Sequence, residues 1–424
     1  MWTAFRGIFG RFFRRPQPRI APLSLYKYYI FVRRLSWCAL ALIAVTLTRS
    51  GSGSAPLTND AYIWQRQWTP ALERAIGQSA DIVHGWRVLA GETDRSGRLK
   101  PVQADLAVLQ KTGRPVTLVI RIDGQLAGWD RDALLADLGV ILDRWRAGPA
   151  AITGVEIDYD CATSKLPLYA DFLAKVRSLI GPSTSLSITA LPTWFTSPNL
   201  AAVLKATDQA VLQVHAVQNP HDGLFDADLA YRWIGEMAAR DRKPFAVALP
   251  AYGVRVDWRA DGKILAVEGE TPRLTGNGDS TELTVSPSEI LALLQRLADH
   301  PAPGLRGIVW FRLPTGEDSR AWSLAAWRSV VTGQAQTGNV ALISQADDTA
   351  GLQRLVLVNR GNTDAELPDK LAVPQDCPAA DGINGYRLDY TTTGQVLRRV
   401  QKGLLKAGYS QEIGWVRCEV TRPR

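Results

Sequence analysis

Between residue 59 and about residue 334, short apolar strands alternate with amphipathic helical segments eight times. Strand patterns fall at 61–68, 82–89, 116–123, 152–160, 185–194, 210–217, 245–252 and 307–313. Helical patterns follow at 70–79, 101–111, 131–146, 166–179, 200–206, 226–240, 287–300 and 319–331. In the seventh, Ile290, Leu291, Leu293, Leu294 and Leu297 recur at helical spacing, and Ser286-Pro287-Ser288-Glu289 opens it with a capping pattern. Eight strand–helix units in roughly 275 residues predict an α/β fold, a (β/α)8 TIM barrel over 55–335. The rival is an open doubly wound sheet, but no Gly-rich phosphate loop follows the first strand, so a nucleotide site lacks its main support.

The fourth strand pattern carries the most chemistry. In Gly154-Val155-Glu156-Ile157-Asp158-Tyr159-Asp160 three carboxylates stand two residues apart. Alternate side chains of a strand share a face. A barrel strand has no solvated face, so Glu156, Asp158 and Asp160 are expected to point inward. They would climb to the C-terminal rim, where barrel enzymes hold their sites. Like charges so spaced repel unless protons, hydrogen bonds or a cation compensate. A divalent cation on the three is one such arrangement, although no further ligand set is visible and none is assigned. No Cys/His cluster has zinc spacing, and no cofactor is expected.

The formal net charge of +8 comes from one end. Residues 1–59 hold nine Lys and Arg and no acid; removing those nine from the 49 leaves 40, against 41 Asp and Glu. The body is near neutral and shows no basic patch of the kind nucleic acid requires. Within 1–54, a basic stretch ending at Arg33-Arg34 precedes an apolar run from Trp37 to Leu47 and then small residues. That is the layout of a secretory signal, and the run is short for a transmembrane helix. A periplasmic or secreted protein is expected, tethered to the membrane if the leader is retained. Cys377 and Cys418 both fall in the last fifty residues and can form a disulfide in an oxidising compartment.

After the seventh strand, 254–284 is a polar insert with a hairpin around Asp261-Gly262, expected to stand over the barrel mouth as a wall or lid. Beyond 333–339, read as a linker, the helical pattern stops. Strand patterns at 340–344, 354–359, 386–390 and 413–420 predict a small β-domain over 339–424.

The ends of the barrel strands are rich in polar and aromatic residues: Trp64 and Trp68, then His84, Trp86 and Arg87, then Arg121 and Asp123, Thr189 and Trp194, Gln213 and His215, Tyr252, and last Trp310 and Arg312. Fourteen tryptophans is high for this length. Aromatic rings beside carboxylates suit sugars, whose C–H faces pack on rings while hydroxyls take hydrogen bonds. Trp64, Trp86, Arg121, Asp123, Trp194, Gln213, His215, Tyr252, Trp310 and Arg312 are therefore the expected substrate contacts, with an oligosaccharide or polysaccharide as partner. Trp145, Trp233, Trp322 and Trp327 sit on helical patterns and are assigned to packing.

The 154–160 stretch resembles the fourth-strand motif of the chitinase family, glycoside hydrolase family 18, in which an Asp, a second Asp and a terminal Glu alternate after a Gly. The resemblance implies that Glu156 matches the first acid, Asp158 the second and Asp160 the terminal general acid. It also implies that Trp310, in Gly307-Ile308-Val309-Trp310, floors the sugar site. Over roughly 58–335 the chain looks more like an uncharacterised bacterial family, domain of unknown function 3142, a glycosidase-like barrel. Three departures stand out. The terminal Glu is Asp160, one methylene shorter; the first acid is a Glu; and the chitinases' sixth-strand Tyr–Asp pair is not evident at 214–217.

Two mechanisms follow. In one, Asp160 protonates the leaving oxygen while Asp158 supports an acetamido group as internal nucleophile; in the other, Asp160 pairs with a carboxylate of another strand, such as Asp123. The competing readings are a non-catalytic saccharide-binding barrel, favoured by the shortened acid, and a tethered envelope scaffold.

Overall fold

The computed structural model describes residues 56–126, 128–215, 220–240, 243–268, 279–349, 351–400 and 403–418. The expected leader over 1–54 lies outside them. Residues 56–424 form one compact unit.

Eight parallel strands close into a ring. They are β1 (Thr58–Ile63), β2 (Gly85–Thr93), β3 (Val116–Ile122), β4 (Ile152–Tyr159), β5 (Ser185–Ala190), β6 (Gln209–Gln213), β7 (Phe245–Pro250) and β8 (Leu305–Phe311). Each pairs with its neighbour in sequence, and β1 pairs with both β2 and β8, so the sheet has no open edge. Helices α1 (Pro70–Ser79), α2 (Leu106–Thr112), α3 (Arg131–Arg146), α4 (Leu166–Ile180), α5 (Leu200–Lys205), α6 (Ala227–Arg240), α7 (Pro287–Asp299) and α8 (Leu324–Val331) alternate with the strands. This is the expected TIM barrel, followed by antiparallel β-sheets at the C-terminal end.

Local chemistry explains the helix starts. Thr69 caps α1 by accepting from the Leu72 amide, with Pro70 at its first turn. Asp130 caps α3, and Ser286 and Glu289 complete the expected capping box of α7. Several elements differ from expectation: β2 runs to Thr93, β5 and β6 each stop four residues early, at Ala190 and Gln213, and α8 starts at Leu324 and not at 319. Residues Leu99–Pro101 pair antiparallel with the end of β2, and α2 starts only after Asp105, whose carboxylate accepts from the amides of residues 107 and 108. β1 begins three residues earlier than its pattern because pairing with β8 aligns Thr58 with Gly307 and Ala61 with Trp310. Trp64 and Trp68 thereby fall beyond the strand.

The period of two sorts the core into two layers. Ala61, Ile63, Trp86, Val88, Ile120, Ile157, Leu212, Leu249 and Trp310 face the helices and pack with their apolar stripes. Tyr62, Leu89, Val119, Val211, Ala246, Ala248 and Val309 fill the barrel interior.

The insert is a three-stranded antiparallel sheet in which Val254–Trp258 lies between Ile264–Glu268 and Ser280–Leu283. Gly262, at φ +76°, turns its hairpin. The sheet starts four residues after β7, and Trp258 stacks on His221 of the β6–α6 connection, with ring centroids 4.1 Å apart. The insert therefore packs on the β6–α6 connection just past the end of β7.

In the C-terminal region, Val340–Ala346, Leu352–Asn359, Ser410–Arg417 and Ala379–Gly382 form one sheet in that order, and Lys370–Ala372, Gly394–Arg399 and Tyr386–Thr391 another. Leu355, Leu357, Leu397, Ile413 and Val416 meet in a core separate from the barrel's. A disulfide joins Cys377 to Cys418. Among the described residues no helix is long and apolar enough to cross a membrane.

Candidate active site

β4 presents its carboxylates inward as the period demands, while Val155, Ile157 and Tyr159 face the helices. The three acids do not share one environment.

The deepest, Glu156, is fully buried. The Tyr62 hydroxyl donates to its Oε1 at 2.5 Å, and Arg87 and the Ser187 hydroxyl donate to its Oε2. Arg87 is shared with Asp60, Ser187 and Gln209, so the guanidinium links four strands besides its own. Burial, then the Glu156 charge, pushes the Tyr62 hydroxyl far above its ordinary range, keeping it a donor. Every oxygen of Glu156 has a partner. This layer is a buried, satisfied ion pair.

Asp158 and Asp160 stand above it. Arg121 donates to Asp158 Oδ2 at 3.1 Å. Burial pushes the Asp158 carboxyl up to about 7; the charge of Asp160 adds to this, and Arg121 opposes it. Asp160 is also raised, by burial against the pull of Arg121. Its Oδ1 is buried and has no hydrogen-bond partner among the described residues. Both carboxyls are therefore easier to protonate than an ordinary carboxylate.

Aromatic rings wall this pair. The Arg121 guanidinium lies over Trp64, 5.5 Å from the ring centroid. Phe311 meets Trp64 at 5.0 Å, Tyr62 at 5.5 Å and Tyr252 at 5.3 Å, and it stacks with His215 at 5.4 Å. His215 Nδ1 is 3.3 Å from the Tyr252 hydroxyl. Burial pulls the imidazole down to about 3, so it is neutral, and its Nε2 has no partner among the described residues. Arg312 lies 5.7 Å over the Tyr252 ring and binds Asp318.

The fold thus gathers Trp64, Arg121, Asp158, Asp160, His215, Tyr252 and Arg312 at the mouth. Gln213 adjoins them, donating to the His215 carbonyl at 3.1 Å. Three expected contacts lie elsewhere. Trp86 donates to Thr112 of α2, Trp194 to the Cys161 carbonyl, and Trp310 to Asn59 while packing against Trp322 and Trp327. All three are buried between barrel and helices. Asp123 is exposed, and its carboxylate accepts from the Gln125 amide. The inward position on β8 belongs to Phe311, not Trp310. Phe311 and Tyr62 were missed although the period of two marks them: Phe311 follows inward Val309, and Tyr62 precedes Trp64 by two.

No group of three or more His, Cys, Asp or Glu that could hold a metal occurs among the described residues. Arg87 is the counter-cation of Glu156 and Arg121 that of Asp158.

Residues 112–316 match the family described as a domain of unknown function (DUF3142), in agreement with the resemblance in the sequence, and residues 342–419 match a second such family (DUF8456). No curated protein matches the chain. Among solved structures, the chain is similar to a chitinase from Chromobacterium violaceum, at 13% identity and a TM-score of 0.46 over 65% of this chain and 99% of that one. It is similar to the spore cortex-lytic enzyme SleL of Bacillus megaterium at 13% identity and a TM-score of 0.48, over 66% and 76%. It is also similar to a xylanase-alpha-amylase inhibitor protein at 16% identity and a TM-score of 0.43, over 66% and 99%. These likenesses assign no chemistry to the barrel.

Proposed function

We propose that the barrel hydrolyses a glycan, with Asp160 as general acid and Asp158 as its electrostatic partner. The observation that carries this reading is the pair itself: two inward carboxyls at the C-terminal end of β4, both raised in pKa, one with a buried oxygen that has no partner. A carboxyl that keeps its proton near neutral pH can give it to a glycosidic oxygen as the C–O bond breaks. Trp64, Phe311 and Tyr252 supply ring faces for the sugar. Of the two mechanisms, we favour the one in which Asp158 orients an acetamido group whose oxygen attacks the anomeric carbon. The alternative partner, Asp123, is exposed and engaged with the Gln125 amide.

The second reading is a saccharide-binding barrel without catalysis. One observation favours it: the proton donor is an Asp, whose reach toward a glycosidic oxygen is one methylene shorter than that of a Glu.

We further propose a periplasmic or secreted location, with a membrane tether if the leader is retained. The layout of residues 1–54 and the Cys377–Cys418 disulfide support it.

The test is release of oligosaccharides from a panel of bacterial and fungal glycans, read by mass spectrometry, for the protein and its Asp160→Asn variant. The expected outcome is product from the native protein and a loss of about 10²–10⁴-fold in the variant, the usual worth of general acid catalysis. Equal activity in both proteins would remove Asp160 from the chemistry. Absence of product, with a ligand-induced tryptophan fluorescence change in both, would establish the binding reading.

A further inference from the structure

Residues 312–323 join β8 to α8 without helix or strand. The stretch begins with Arg312, whose guanidinium lies over Tyr252 at the mouth and binds Asp318. Irregular backbone next to a site needs partners for its polar groups. Asp318 supplies some of them within the loop, its Oδ1 accepting from the amides of Arg320 and Ala321 at 3.0 Å each. The insert and the residue after it supply others: Glu282 pairs with Arg320 at 3.0 Å, and the Val285 carbonyl accepts from the Trp322 indole at 2.7 Å.

The remaining contacts come from the C-terminal β-domain. Lys406 Nζ donates to the Asp318 carbonyl at 2.5 Å. Asp364 accepts from the Ser323 amide at 3.0 Å through one oxygen and from the Ala407 amide at 2.9 Å through the other. Ser323 is also the residue that caps α8. At Gly316 an added Cβ would lie 2.9 Å from the Tyr409 hydroxyl, so that ring closes on the loop. A small ladder explains how the two charged groups reach the same place. Ala365 pairs with Leu405, which sets Asp364, just before one strand, beside Lys406, just after the other. Burial weakens the Lys406 ammonium, while Asp318 and Asp364 support it. Lys406 is therefore partly desolvated, and its ammonium donates to a loop carbonyl.

We infer that the C-terminal β-domain is a positioning element of the barrel mouth, with Lys406 and Asp364 fixing the loop that holds Arg312 against Tyr252. Neither residue touches the mouth. They act through Asp318 and the start of α8, which place Arg312. The inference stands whether or not the barrel hydrolyses a glycan, because it concerns the loop and not the reaction.

The experiment is amide hydrogen exchange by mass spectrometry on the full chain, comparing Lys406→Met, Lys406→Arg and the native protein. Near-ultraviolet circular dichroism of the mouth aromatics is the second readout, with Arg312→Met as reference. Loss of one charge-assisted hydrogen bond is expected to speed exchange in 312–323 about tenfold in Lys406→Met. Peptides of β1–β7 stay at the native rate, and Lys406→Arg restores the loop. The aromatic spectrum of Lys406→Met shifts in the same direction as that of Arg312→Met. Unchanged exchange in 312–323 would overturn the inference, as would an increase spread evenly through the barrel. If Lys406→Met does not fold, Asp364→Asn is judged by the same pattern.

Discussion

Glu156 and Asp158 are two residues apart on β4 and face the same interior, yet they are held in opposite ways. Tyr62, Arg87 and Ser187 give Glu156 a partner for each oxygen. Asp158 has the Arg121 guanidinium, itself 39% exposed, the Thr189 hydroxyl, and a carboxyl neighbour that repels it. Burial is similar, but compensation is not. A desolvated carboxylate with a donor for each oxygen becomes part of the structure, whereas one with fewer compensating partners is more easily protonated and becomes available for chemistry. Position along a single strand decides which role an acid takes. Depth brings more strands, and hence more donors, around the lower layer.

Breaking the lower layer should have the largest effect on folding. Glu156→Ala leaves Arg87 buried without its main partner, and a cost of about 3–5 kcal/mol is expected, read as a fall in the urea midpoint. The double variant with Arg87→Met should recover much of it. A single variant as stable as the native protein would show that the two layers do not differ as described.

The upper layer can be sharpened by pH. The folded pKa of Asp158, about 7, lies above the ordinary unfolded value of about 3.9. Between these values the folded protein binds more protons than the unfolded chain, so its stability falls as pH rises through that window. Asp158→Asn removes this slope. At pH 7.5 relative to pH 4.5 the variant should gain about 1–3 kcal/mol on the native protein by urea unfolding. An unchanged slope would mean that Asp158 carries no such shift.

The smallest contrast is between the two faces of β8. Phe311→Leu should weaken saccharide-induced tryptophan fluorescence about tenfold in affinity, or ~1.4 kcal/mol. Trp310→Phe should leave affinity alone and cost about 1 kcal/mol of stability through the lost bond to Asn59. The reverse result would return the sugar floor to Trp310.

These contrasts mark what was legible. Alternation of apolar strands and helices was enough for the barrel, because the 2.0 and 3.6 periods are imposed by local geometry. The inward direction of Glu156, Asp158 and Asp160 followed from the same period. Carried strand by strand, that period would also have turned Trp86 and Trp310 outward and nominated Phe311. Trp194 was harder to read, since β5 stops at Ala190 and the chain turns through Pro192–Thr196 before reaching it. The partners of each acid were not legible. Tyr62 and Glu156 are 94 residues apart in the chain, and Arg87 and Glu156 are 69 apart.

From the sequence alone come the barrel, its eight strand–helix units, the inward row of acids on β4 and the β-rich C-terminal region, all consequences of patterns a few residues long. The tertiary structure decided which acid is fully paired and which are pushed up in pKa. It also decided that Phe311 occupies the mouth, and that Lys406 reaches back 88 residues to the loop beside it. The physical reason is that hydrophobic periodicity is a local property. The pKa of a carboxyl and the fit of a loop depend on donors and dielectric supplied by strands brought together only when the ring closes.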